Sequence, residues 1–422
     1  MADFALHGAV LTSEDRFHLK EYEDAYVVCE HGRCAGVFET LPPKYASLPV
    51  EDFWDKLIIP GLVDLHTHAP QFAFRGTGGD LELLDWLNAC AFPEEKAYGD
   101  LDYAERAYDC FVEDLYIGAT TRACVFGTKH RKATAGLMEM LDETGLVTFV
   151  GKVNMDRNVP EDYVETTEES VAETKKWLGH VRRMNLKHTS PIITPRFTPS
   201  CSRPLMEELG RIAEKLDLSV QSHLSENQDE IEWVKKLEPD CRCYAETYDR
   251  AGLLRKGRTV MAHCVWSDEE ELALLKNRGV VIAHCPGSNI NVRSGAAPVS
   301  KYLDMGLKVG LGSDVAGGPS SSMFAAMRDA VTVSKLRWRL TDQSVRPLTF
   351  PEVFYMATMG GGAFFGKVGA FLEGYEFDAV VLDDENLQTI RAFSPAERAE
   401  RLMYLMDDRN VTGKYVQGRK LY

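Results

Sequence analysis

Little in this sequence would carry the chain to a membrane, a nucleic acid or an oxidising compartment. The opening segment, MADFALHGAVLTSED, lacks a basic stretch followed by an apolar one, and no uninterrupted apolar run is long enough to span a bilayer. The expectation is a cytoplasmic protein with no membrane partner. Positive charge is in deficit: 48 Lys and Arg against 64 Asp and Glu leave a formal net charge of −16. Such a surface repels phosphate backbones and anionic headgroups, which excludes nucleic acid and favours a neutral small molecule as partner. The ten cysteines are scattered, and Cys241 and Cys243, the closest pair, have no second pair to complete a zinc ribbon, so free thiols are expected. Neither H-x-E nor P-C-x-x-C occurs, which removes the zinc fold that acts on cytosine or nucleic acids. The stretch GGAFFGKV has Val368 where a phosphate-binding loop needs Ser or Thr for magnesium.

What is present is material for a large core. At 422 residues and 45% hydrophobic content, the chain is expected to form one large domain and a smaller one. Residues 4–58 mix short β-rich runs such as YVVCEHGRCAGVFET with the polar turn segment LPPKYASLP, and the tail has a similar character in GAFLEGYEFDAVVLDD and VTGKYVQGRKLY. The two ends together suit one small β domain. Between them an apolar β-rich run recurs about every thirty to forty residues, each followed by polar residues and a helical pattern. The runs are LIIPGLVDLHTH, GATTRACVF, GLVTFVGKVNMD, SPIITPRF, LSVQSHLSE, RTVMAHCVW, VVIAHCPGSN and LKVGLGSDV. About eight such units are needed to close a (β/α) barrel, whose sites are built at the C-terminal strand ends.

Those ends carry the chemistry. His66 and His68 are spaced so that strand alternation sends both to one face, where two imidazoles can grip one metal. Alone, H-x-H reads equally well as two hydrogen-bonded histidines near a turn. It gains force from His223, His263 and Asp314 at the ends of the fifth, sixth and eighth runs, because imidazole nitrogen and carboxylate oxygen suit zinc, iron or another divalent ion. Glu226, three residues after His223, also reads as a helix N-terminal carboxylate in SENQDEIEWVKKL.

The opening PG-L-V-D-x-H-x-H, the later H-x-x-E, the isolated strand-end His and the final S-D resemble the amidohydrolase superfamily of metal-dependent hydrolases over nearly the whole chain. Within it, PGLVDLHTHAPQFAFRG, TPRFTPSCS, HLSENQDEIEWVKKL, TVMAHCVW, IAHCPGSN and GLGSDVAGGPSSSM are similar to the guanine deaminases. The resemblance implies an α/β fold: a distorted (β/α)8 TIM barrel over residues 59–365, with a β-sandwich formed by residues 1–58 and 366–422. It further implies one Zn2+ per subunit, with Fe2+ as the alternative, held by His66, His68, His223 and Asp314, and, as partners, a purine base, water and a second copy in a homodimer. On this pattern a hydroxide attacks C2 of guanine and Asp314 takes its proton. Glu226 protonates the ring nitrogen, and His263 hydrogen-bonds the oxyanion. Gln71, Arg196 and Phe197, with His223, Glu226 and Asp314, bind the base.

Blander readings stand beside these: a surface salt bridge for Arg196, core packing for Phe197 and solvent exposure for Gln71. The competing functions are hydrolysis of another heteroaromatic ring, such as 8-oxoguanine, a triazine or an adenosine derivative, and a non-catalytic scaffold. Lys152 ends the third run rather than the fourth, so a lysine-bridged metal pair is not expected, and His284 suits a structural role.

Overall fold

The computed structural model describes residues 3–422. Four strands precede the first catalytic motif: β1 (Phe4–Ser13), β2 (Leu19–Glu30), β3 (Arg33–Phe38) and β4 (Val50–Pro60). A second set follows: β5 (Leu62–His68), β6 (Thr120–Phe126), β7 (Val147–Gly151), β8 (Val153–Asn154), β9 (Thr189–Pro191), β10 (Thr194–Pro195), β11 (Val220–Leu224), β12 (Thr259–His263), β13 (Val281–His284) and β14 (Lys308–Leu311). The tail adds β15 (Ala379–Leu382), β16 (Val411–Val416) and β17 (Arg419–Lys420).

The two ends of the chain do meet. They form one seven-stranded sheet in the order β17-β16-β15-β4-β1-β2-β3, with β15 from the tail paired antiparallel to β4. Period-two alternation serves both faces. On β4, Ile58 joins a cluster with Leu6, Val10, Val27 and Val381, while Leu57 and Ile59 belong to the main core.

The strands from β5 to β14 pair only in parallel, in sheets ordered β5-β6-β7-β9, β8-β10 and β11-β12-β13-β14. Parallel pairing needs crossovers, and helices supply them. Their ends follow local chemistry: Thr166 and Glu169 form a capping box for Thr167–Met184, and Gly145 ends Arg131–Thr144 in the left-handed region at φ 82°. Two of the expected runs are interrupted. SPIITPRF gives only Thr189–Pro191 and Thr194–Pro195, because Pro191 and Pro195 have no N–H to donate to a ladder. GLVTFVGKVNMD breaks at Lys152, whose buried ammonium donates to Glu165 (3.1 Å) and the Val153 carbonyl (3.2 Å).

Val63 and Leu65 of β5 share a buried cluster with Cys124 of β6, Val260 and Ala262 of β12, and Val281 and Ala283 of β13. Side chains from both ends of the parallel series therefore meet in one interior. All ten cysteines are free, and among the described residues no helix is long and apolar enough to cross a membrane.

Candidate active site

The five strand-end residues converge. His66 and His68 close β5, His223 lies in β11, His263 closes β12, and Asp314 follows β14. The Nε2 atom of His68 lies 3.3 Å from that of His66 and 3.1 Å from that of His223. Asp314 Oδ1 is 3.2 Å from His66 Nε2 and 3.5 Å from His68 Nε2, while Oδ2 is 3.6 Å from His263 Nε2. His263 and Asp314 sit at φ 75° and 49°, left-handed positions that cost a non-glycine residue about 1–3 kcal/mol and cluster at functional sites.

The donor chemistry fits a divalent cation. His223 Nδ1 faces the Arg196 carbonyl at 2.6 Å; a carbonyl only accepts, so Nδ1 carries the hydrogen and the Nε2 lone pair points inward. His263 Nδ1 faces Asn289 Oδ1 at 2.9 Å, and its buried Nε2 has no hydrogen-bond partner. Burial and then the neighbouring imidazoles hold His68 and His223 well below the usual histidine range, so both stand neutral with free lone pairs. Tetrahedral bonds of ~2.0–2.1 Å to zinc place ligand atoms ~3.3 Å apart, close to the separations of the His66–His68, His68–His223 and His66–Asp314 pairs.

The two carboxyl groups are driven apart. Burial alone raises Asp314, but the imidazoles of His66, His263 and His68 outweigh it and hold the carboxylate far below its ordinary range. Glu226 is pushed up to about 8, first by burial and then by the charge of Asp314. Its Oε1 accepts from Ser294 Oγ at 3.0 Å, and its Oε2 lies 3.3 Å from His263 Nε2. The helix Gln228–Leu237 is capped by Asn227 and Glu230, which leaves the Glu226 carboxyl to the cavity. Divergent values in adjacent carboxyls suit one to hold a proton and the other to accept one.

That cavity is lined by His68, His223, His263 and Asp314 together with Gln71, Arg196 and Phe197. Gln71 and Arg196 are buried, at 1% and 2% exposure, which removes solvent exposure and a surface ion pair as accounts of them. Sequence reasoning missed the residue that joins them. Glu95, fully buried, accepts from Gln71 Nε2 at 2.8 Å and Arg196 Nη1 at 2.5 Å. In FPEEK it reads as a solvated helix charge, and no local signal marks it. Asp64 was also passed over: it accepts the His66 and Ser313 N–H groups (3.1 and 3.0 Å), tying β5 to the segment bearing Asp314. Trp86, Leu87 and Ser288 complete the cavity wall.

Residues 57–421 match the model of the Amidohydrolase family. The chain belongs to that family. Among its relatives, the guanine deaminase of Mus musculus is 44% identical over 379 residues, 87% of this chain and 83% of that protein. The guanine deaminase of Escherichia coli is 36% identical over 420 residues, 96% of this chain and 92% of that one. A crystal structure of guanine deaminase from C. acetobutylicum, with guanine bound in its active site, superposes with a TM-score of 0.96 at 43% identity and covers both chains completely. Members of the amidohydrolase family are metal-dependent hydrolases, and the imidazole and carboxylate cluster at the strand ends is this chain's candidate centre.

Proposed function

We propose that this chain hydrolyses guanine to xanthine and ammonia at a single divalent metal centre. The observation that carries the reading is a metal-fitting donor set sharing one cavity wall-to-wall with a buried amide, guanidinium and phenyl ring. The relatives named above support the substrate. His66, His68, His223 and Asp314 would hold zinc, with iron the alternative. A cation so held supplies Lewis acidity that brings the pKa of a water down to about 7.

The chain's own groups do the rest. Asp314, ionised, accepts a proton from the attacking water as its oxygen bonds to C2. Glu226, held protonated by its surroundings, delivers a proton to the ring nitrogen; Asp314 then passes its proton to the exocyclic amine and the C2 hydroxyl returns one to Glu226, so the C–N bond breaks, ammonia departs and C2 becomes a carbonyl. His263 sits within 3.3 Å of Glu226 and 3.6 Å of Asp314, placed to steady the oxygen between them. Arg196 donates to the base's carbonyl edge, Gln71 meets its polar edge, and Phe197 packs on its flat face.

The same reading takes the parallel strands as a closed (β/α)8 barrel over residues 59–365. In support, an isolated parallel bridge joins Ile193 to Val220, and the Asp314 N–H donates to the His66 carbonyl at 2.8 Å where the last strand returns to the first. It takes residues 1–58 and 366–422 as a sandwich. Phe4 on β1 and Tyr415 on β16 stack with centroids 5.5 Å apart, although three strand spacings, ~14 Å in a flat sheet, separate them, so the sheet bends back on itself. Location in the cytoplasm stays the expectation drawn from the sequence, and assembly as a homodimer rests on the family resemblance alone.

The test is ammonia release from metal-loaded protein across guanine, 8-oxoguanine, a triazine and an adenosine derivative. Guanine is expected to have the highest kcat/KM by at least an order of magnitude. An inert guanine beside an active triazine or adenosine derivative defeats the substrate while sparing the hydrolase, and no activity on any of them after metal loading defeats both.

A further inference from the structure

Resting on the reading above, we infer that Glu95 is a positioning residue that sets the pocket's polarity, locking the Gln71 amide and neutralising Arg196 so that the site takes an uncharged base and rejects its anion. Three contacts carry this. The first is the Gln71 amide, held at both ends: Nε2 donates to Glu95 Oε1 at 2.8 Å, and the Ala316 N–H donates to Oε1 at 3.2 Å. A carboxylate only accepts and a backbone N–H only donates, so the amide has one orientation, leaving one N–H and one lone pair over. The second is the Arg196 guanidinium, which donates to Glu95 Oε2 at 2.5 Å. The third is Phe92, three residues before Glu95 on the helix Phe92–Ala97, whose ring centroid lies 4.9 Å from Arg196 Cζ.

All three polar partners are buried, and among the described residues the only carboxylate within bonding distance of Arg196 is Glu95. An arginine buried without a counter-ion would attract anions strongly and pay a heavy desolvation cost. Paired with Glu95, it keeps N–H groups for a carbonyl oxygen but carries no net charge toward the ligand. The reaction makes that distinction matter, since the dioxopurine product sheds a ring proton more readily than the aminopurine substrate. A neutral pair lets the ionised product go.

The experiment uses the metal-loaded enzyme and Glu95→Gln, which keeps shape and removes charge. The KM for guanine is expected to rise about tenfold or more with a smaller change in kcat, because Gln71 is free to flip and Arg196 is re-aimed. Inhibition by xanthine at alkaline pH, where it is anionic, is expected to tighten at least several-fold, while inhibition by neutral xanthine at acid pH weakens. A pocket merely distorted would weaken for both forms. A KM within twofold of the parent, or parallel weakening toward both forms of xanthine, overturns the proposal. Should Glu95→Gln fail to fold, Glu95→Gln with Arg196→Gln buries no unpaired charge, and it must show no preference for the anion; anion tightening in that double variant also overturns it. If the parent enzyme releases no ammonia from guanine, the deaminase reading falls on its own, and Glu95 is judged by direct titration of xanthine at the two pH values.

Discussion

Among the described residues two arginines are buried against carboxylates, and only one of them lines the candidate site. Arg122, on β6, donates three hydrogen bonds to the tail segment: Nε to Asp378, and Nη2 to both Asp378 and Glu376. Arg196, at the end of the interrupted fourth run, donates one, to Glu95, and lines the cavity. Both guanidiniums are about 2% exposed, so burial does not separate them. The number of carboxylate bonds does. A guanidinium held by three such bonds through Nε and Nη2 is a rivet between the parallel strands and the terminal sheet, whereas one held by a single bond keeps more N–H groups for the cavity.

The sharpest way to break that contrast is at the catalytic mouth. Asp314→Asn is expected to lower kcat/KM for guanine by about 10⁴-fold, with bound metal falling in elemental analysis. A variant retaining more than a tenth of parental activity would remove Asp314 from the reaction. Arg122→Met acts on the other side of the comparison. It strands the Asp378 carboxylate in the interior and is expected to cost ~3–5 kcal/mol in urea unfolding, while KM for guanine stays within about twofold of the parent. A shifted KM would show the two arginines to be coupled.

The smallest effect concerns pH. Glu226 ionises near 4.5 when unfolded and about 8 in the fold, and Glu230, raised by burial and by Glu226, near 7. For these two carboxyls the unfolded state gives up protons that the folded state keeps, which lowers stability as pH rises from about 4.5 toward 8, while the depressed His68 and His223 act the other way up to the unfolded histidine value of about 6.5. Chelated Glu226→Gln should therefore gain stability relative to the chelated parent as pH rises through that window, read as the difference of their urea midpoints. A difference that stays constant with pH would contradict the environment described for Glu226.

The residue types of the candidate metal centre were legible because strand alternation and strand-end position are local properties. A spacing of two puts His66 and His68 on one face whatever lies beyond, and His223, His263 and Asp314 each close or follow a recognisable apolar run. The family resemblance pointed further, to Gln71, Arg196 and Phe197. Glu226 left two readings open, helix N-terminal carboxylate or proton carrier, and in the fold Asn227 and Glu230 cap that helix. The breaks at Pro191 and Pro195 were written in the sequence but underweighted against the apolar character of the run.

Glu95 was illegible for a different reason. Its partners lie 24 and 101 residues away, and its neighbours in FPEEK give it the look of an exposed helix charge. Asp64 likewise acquires its meaning from Ser313, 249 residues on. Local pattern, then, settled which side chains could bind metal and at which strand ends they sit, since periodicity is a property of a few consecutive residues. Tertiary packing decided which carboxylates are dry, which arginine is left with hydrogens to offer, and how far the two acids at the mouth are pushed apart, because desolvation and pairing depend on groups that meet only when distant segments close around them.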